Sequence, residues 1–98
     1  MLIIPPCHVR KKCRCVKCSP GTDYFKPRGI PLSEITEIVL NLDELEALKL
    51  ADYEGLYHEQ ASLQMNVSRA TFGRILDGAR LKIAEAIING CALRIEKK

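Results

Sequence analysis

Ninety-eight residues, 47% apolar, 28% charged and without tryptophan, describe one small domain with a core of Leu, Ile, Val and Ala, and exclude a chain disordered throughout. No apolar run approaches the roughly 20 residues of a membrane span, and MLIIPPC opens without the basic start and longer apolar stretch of a secretory leader. The net charge of +3 is unevenly spread: seven cations against one acid in residues 1–31, one against eight in 32–66, seven against three in 67–98. Basic ends suited to a polyanion thus flank an acidic middle.

Residues 1–31 read as a basic, cysteine-rich head. From Cys7 to Pro31 no helical or strand period is present, and Pro20-Gly21, Pro27, Gly29 and Pro31 punctuate the segment as loop, with room for a short extended stretch. A cytoplasmic location is expected, and there the five cysteines are reduced or metal-bound rather than paired. Cys7, Cys13, Cys15 and Cys18 fall within twelve residues, with five Lys/Arg between them. Four thiolates suffice for a tetrahedral zinc ion, and Cys15-x-x-Cys18 has the spacing of a knuckle. An iron–sulfur cluster takes the same number of thiolates. Without metal, the four are free thiols on a basic arm. All three states stay open. His8 is either a substitute ligand or a surface residue beside them.

Residues 32–98 carry the periodic elements. After Pro31 the run SEIT suggests one helical turn, and EIVL, residues 37–40, a short strand. Asn41 is a good N-cap and Glu44 stands three residues on, the capping-box spacing. The helix so opened takes Leu42, Leu45, Leu48 and Leu50 inward and stops at Gly55. The acids of LDELE and ADYE read as its solvated face. A second helix starts near His58, with Ala61, Ser62 and Met65 on one side, and ends at Asn66. A third begins after Ser68 and closes at Asn89-Gly90, with Phe72, Ile75, Leu76, Ala79, Ile83, Ala86 and Ile87 as its apolar stripe. CALRIE reads as a last short strand, pairing as residues 92–96 with 37–40. Cys91 reads as a small buried residue.

Two helices joined by a tight turn, the second opening with Ser and Arg, have the outline of a helix-turn-helix. Counted from His58, the unit needs a small residue where the helices cross, and Ser62 is there. Met65, Val67, Phe72 and Ile75 fall where apolar residues pin the helices together. Asn66 falls at the turn position of positive φ, which Asn tolerates better than most residues. If Phe72, Ile75 and Leu76 face the core, Arg69, Ala70, Gly73 and Arg74 face outward at the start of the third helix. That is where such a helix reaches base edges in the major groove, and an Arg there can fork onto guanine. Ser68 caps the helix and can meet a phosphate. Gly73 costs a helix interior roughly 1 kcal/mol against Ala, so either DNA or the protein itself approaches closely there. Arg80 and Lys82 lie further along, as backbone contacts or plain surface.

The marks YFKP, GIPL, LDELEALKLAD, EGLY, VSRATFGRIL and ALRIE resemble an uncharacterised family of small prokaryotic predicted DNA-binding proteins whose helix-turn-helix is similar to region 4 of bacterial sigma factors. The resemblance covers about residues 24–96. It implies a mainly α, sigma-region-4-like fold with a winged-helix-like three-helix core, and double-stranded DNA as partner. The Gly usual at the turn is Asn66 here, and Tyr57 stands where many relatives of the motif place a capping Ser or Thr.

The leading expectation is a sequence-specific DNA-binding transcriptional regulator, acting as a homodimer. The alternatives are a metal or redox sensor whose four-cysteine head modulates binding, and an interaction module docking on the transcription machinery through the acidic helix of residues 42–54. An enzyme is not expected: His8 and His58 sit in different segments, and no nucleophile, base and orienting group assemble from the sequence.

Overall fold

The computed structural model describes residues 21–96. Its elements, in chain order, are β1 (Tyr24–Phe25), a 3-10 turn (Leu32–Glu34), β2 (Glu37–Leu40), α1 (Leu42–Leu48) running into a π turn (Lys49–Tyr53), α2 (His58–Met65), α3 (Arg69–Asn89) and β3 (Ala92–Ile95). The protein is mainly helical, with a small three-stranded sheet.

EIVL and ALRI do pair, in parallel, with Glu37 opposite Ala92 and Leu40 opposite Ile95. The sheet has a third strand that the two-stranded expectation lacked. Tyr24 and Phe25 pair antiparallel with Arg94 and Leu93, so that β3 lies at the centre. Two residues are too few for any period to show in the sequence. One exposed polar triad ties the strands together: the Tyr24 hydroxyl donates to Glu37 Oε2 (2.8 Å) and Arg94 Nε donates to Glu37 Oε1 (3.0 Å). The Tyr24 hydroxyl, then Arg94, hold the Glu37 carboxyl below the usual range, and the Tyr24 phenol is correspondingly raised by its bond to Glu37.

Alanine and leucine, with Met65, Phe72 and Ile95, build the core. Ala47 and Leu50 from the first helical stretch meet Ala61 and Met65 of α2 and Phe72 and Leu76 of α3. A second cluster, Leu40, Ala79 and Ile95, joins the sheet to α3. The expected stripe of α3 holds through Phe72, Leu76, Ala79 and Ala86 but fails at Ile87, which is 72% exposed. Ile87 stands a hundred degrees round the helix from Ala86, beyond the cover of the sheet.

α1 departs further from its expected solvated face. Glu44 and Glu46 are buried. Glu44 Oε1 accepts from the Asn41 backbone N–H (2.9 Å), the capping contact, and also from Lys82 Nζ (2.7 Å), which donates in addition to the Val39 carbonyl (2.9 Å). Lys82 is therefore a half-buried tie between β2, α1 and α3 rather than a free surface charge. Gly78 leaves the room for it, since a Cβ there would stand 3.2 Å from Glu44 Oε2. Removing one partner of a pair this sheltered strands the other charge. Lys82→Met is expected to lower unfolding stability by about 1–3 kcal/mol, read by urea denaturation with unchanged slope.

After α1 the backbone widens: Glu54 N–H reaches the Lys49 carbonyl five residues back (2.8 Å), and Gly55, at φ 77°, ends the stretch. Two of its charges close on the protein itself, Lys49 on Glu54 (3.3 Å) and Asp52 on Arg80. With Glu44 and Glu46 inside, the acidic helix offers a partner much less free charge than its composition suggests.

Candidate nucleic-acid interface

The connection between α2 and α3 is three residues long. α2 ends in a left-handed cap, Asn66 at φ 59° and ψ 43°. Among described residues it is the only non-glycine at positive φ. Asn66 and Val67 N–H groups close on the Leu63 and Ser62 carbonyls (both 3.1 Å), which satisfies the last turn of α2. Ser68, extended at φ −70° and ψ 158°, then caps α3: its Oγ accepts from the Thr71 N–H (3.1 Å) and donates to Thr71 Oγ1 (2.9 Å).

What sets the angle between the helices is the packing behind the turn. Ser62, buried, turns its hydroxyl back to the Glu59 carbonyl (2.9 Å) and so crosses α3 without an unmet polar group. Met65 and Phe72 are fully buried beside it, and Val67 and Ile75 pack against them. The His58 ring lies edge-on to Phe72 at 5.2 Å. Tyr57 makes no side-chain cap, and its carbonyl alone receives the Ala61 N–H at 2.9 Å.

With Phe72 and Leu76 inward, Ser68, Arg69, Ala70 and Arg74 are exposed and Gly73 is half-exposed. These five residues fall on the N-cap and the first two turns of α3. Neither Arg69 nor Arg74 forms an ion pair or hydrogen bond with another described residue. No acid stands in the first turn of α3, where unbonded N–H groups and the helix dipole favour an anion. The arrangement can therefore receive a polyanion on two unpaired guanidinium groups and a positive helix end.

Arg80 behaves differently. Its guanidinium grips Asp52 with two bonds, Nη2 to Oδ1 (2.6 Å) and Nε to Oδ2 (3.1 Å). These bonds hold the Asp52 carboxyl below the usual range and raise Arg80. Arg80 is a brace between α3 and the π turn, a role its partner 28 residues away kept out of sight in the sequence.

Gly73 has open space around it: a Cβ built there meets nothing within 4 Å. Close packing inside the protein does not explain this glycine, whereas at Gly78 it does. Gly73→Ala is expected to raise thermal stability by up to about 1 kcal/mol, as calorimetry would read.

Cys7, Cys13, Cys15 and Cys18 lie outside the described residues, as does His8. Among the described residues no group of three or more His, Cys, Asp or Glu is placed to hold a metal ion. Cys91 is a free thiol and half-buried rather than buried. No helix among the described residues is long and apolar enough to cross a membrane.

Residues 6–97 match the family described as protein of unknown function DUF134. The chain belongs to this family. It is 57% identical over 84 residues to a UPF0251 protein of Pelotomaculum thermopropionicum, covering 86% of this chain and 64% of that one. A UPF0251 protein of Desulfosudis oleivorans is 55% identical over 85 residues, covering 87% and 62%. One from Dehalococcoides mccartyi is 54% identical over 85 residues, covering 87% and 73%. The chain thus spans less than two thirds of the length of the first two relatives. No solved structure matches at a significant level. The match begins within the cysteine-rich head and runs through α3 and β3, so family membership extends beyond the marks at residues 24–96.

Proposed function

We propose that this member of the DUF134 family is a sequence-specific double-stranded DNA-binding protein, a transcriptional regulator whose α2, turn and α3 work as a helix-turn-helix similar to region 4 of sigma factors. The observation that carries the reading is the contrast between the arginines of α3. Arg80 is held by Asp52, while Arg69 and Arg74, on the capped first turns, pair with no other described residue. An unpaired guanidinium is a planar donor fork with all its N–H groups still open to a base edge. That is the requirement for bidentate contact with the O6 and N7 of guanine.

In this reading the N-terminal turns of α3 enter the major groove, with Arg69 and Arg74 at base edges, Ala70 against a base face or methyl, and the Gly73 backbone close to the duplex. The exposed start of the helix at Ser68 meets a phosphate. Two copies act together, because one short helix reads only a few base pairs and a two-fold pair doubles the site. Selection of bound duplexes from random DNA at near-physiological salt tests the proposal. A recurrent short motif, repeated in inverted orientation, is the expected result. Recovery of no motif, with retention that vanishes as salt rises, leaves only charge attraction and refutes it.

A further inference from the structure

A helix turns residues i, i+3, i+4 and i+7 to one side. On α3 that row is Ala70, Gly73, Arg74 and then Asp77, which seven residues bring back to within about 20° of Ala70. Asp77 is exposed and pairs with no other described residue. A cation stands three residues to either side of it, a spacing at which side chains on a helix can meet. Neither closes on it: Arg80 is held by Asp52 through two bonds, and Arg74 pairs with no other described residue. Beyond Asp77 the row continues as Leu81, Ala84 and Ile88, exposed and without a polar side chain. Asp77 is thus the last polar side chain of the row that carries Arg74.

We propose that Asp77 is a base-reading residue and that it selects cytosine, an inference that rests on the DNA reading. A carboxylate accepts hydrogen bonds and does not donate them. In the major groove guanine and thymine present acceptors to it, and adenine sets an acceptor beside its amino donor. Cytosine alone offers a donor, its N4 amino group, with no acceptor alongside. The phosphates of every duplex repel the same carboxylate. Asp77 therefore weakens binding to all sequences and is compensated where a cytosine N4–H donates to it. A penalty on every duplex that one base relieves widens the gap between specific and non-specific affinity.

The place of Asp77 along the helix fits this role. Eight residues separate it from Arg69, about 12 Å of helix rise, which is about the width of the major groove. From Arg74 to Asp77 the rise is about 4.5 Å, against about 3.4 Å between successive bases of a strand. For a helix lying along the groove, the two side chains address the same base pair or adjacent ones. Arg74 brings donors suited to guanine and Asp77 an acceptor suited to cytosine, the two halves of the pattern that a G·C pair displays there.

The test is selection of bound duplexes from random DNA by the full chain and by Asp77→Asn and Asp77→Ala, at one near-physiological salt. Asp77→Asn is expected to change one cytosine of the wild-type motif to adenine, whose N6 and N7 suit a side-chain amide, and to leave the other positions as they were. Asp77→Ala is expected to lose about fivefold in preference for that cytosine and to bind an unrelated duplex more tightly than wild type. Thermal midpoints should match wild type, because Asp77 is exposed. An unchanged motif in both variants overturns the role of Asp77 and leaves the DNA reading standing. So does tighter binding to every duplex with no change of selected base, which makes the carboxylate a repelling charge only. Preference lost at all positions together makes Asp77 a support of the helix and overturns the proposal as well. A wild type that selects no motif removes the DNA reading, and this role with it.

Discussion

Replacing Arg69 or Arg74 by alanine is expected to leave the fold intact and to remove about 1–3 kcal/mol of base discrimination each, about 5- to 150-fold in the ratio of specific to non-specific affinity. The fold is spared because both side chains are exposed and neither bonds to another described residue. Discrimination is lost because the forked contact exists only against the right base. Fluorescence anisotropy on the selected duplex and on a scrambled one measures the ratio. Arg80→Ala is the internal control: it removes a cation from the same helix, but one occupied by Asp52. It should lower stability slightly, as exposed ion pairs do, and leave the ratio unchanged. If Arg80→Ala affects discrimination as much as Arg74→Ala, the helix attracts DNA by charge alone and reads nothing.

The largest loss of stability is expected at Phe72. Its ring is fully buried between α1, α2 and α3, against Ala47, Leu50, Met65 and Leu76, and in edge contact with His58. Phe72→Ala should cost about 3–5 kcal/mol, a large share of the 5–15 kcal/mol typical of a whole domain. For a domain of this size that is a fall in thermal midpoint of about 15–25 °C. Because Phe72 sits one turn from Arg69 and sets how α3 lies on α2, binding should fall with it even below the new midpoint. Phe72→Leu, which keeps most of the apolar volume, should recover most of both. Calorimetry gives the midpoint. A loss under about 1 kcal/mol would mean that α2 and α3 are held together elsewhere.

Local chemistry carried much of this arrangement in the sequence. Asn66 before Val67-Ser68 signalled a left-handed cap and a new helix, and both are present. Glu44 three residues after Asn41 signalled a capping contact, which forms, and Asn89-Gly90 ends α3. What stayed hidden depends on partners far along the chain. Nothing local to LDELE says that Glu44 will be buried; that follows from Lys82, 38 residues later, and from the space at Gly78. A carboxylate counts as solvent-facing in any periodicity argument, so the burial of Glu44 and Glu46 runs against the pattern. Strand β1 stayed hidden for the opposite reason, since two residues hold no pattern at all. Ile87 kept its place in the apolar period while the described residues leave it largely exposed. In the candidate site the outward set of Ser68, Arg69, Ala70, Gly73 and Arg74 was readable because it is the complement of Phe72, Ile75 and Leu76 on one helix. Which cations are free was not, because Arg69, Arg74 and Arg80 differ only in what the fold places opposite them.

The most direct measurement is a titration of the isotopically labelled chain with its selected duplex, followed residue by residue through backbone amide NMR shifts. The largest changes should fall on the amides of Ser68 to Arg74, with the Arg69 and Arg74 side-chain resonances moving alongside them and Asp52–Arg80 unmoved. Shifts centred on another surface, with that short segment silent while DNA is bound, would contradict the account.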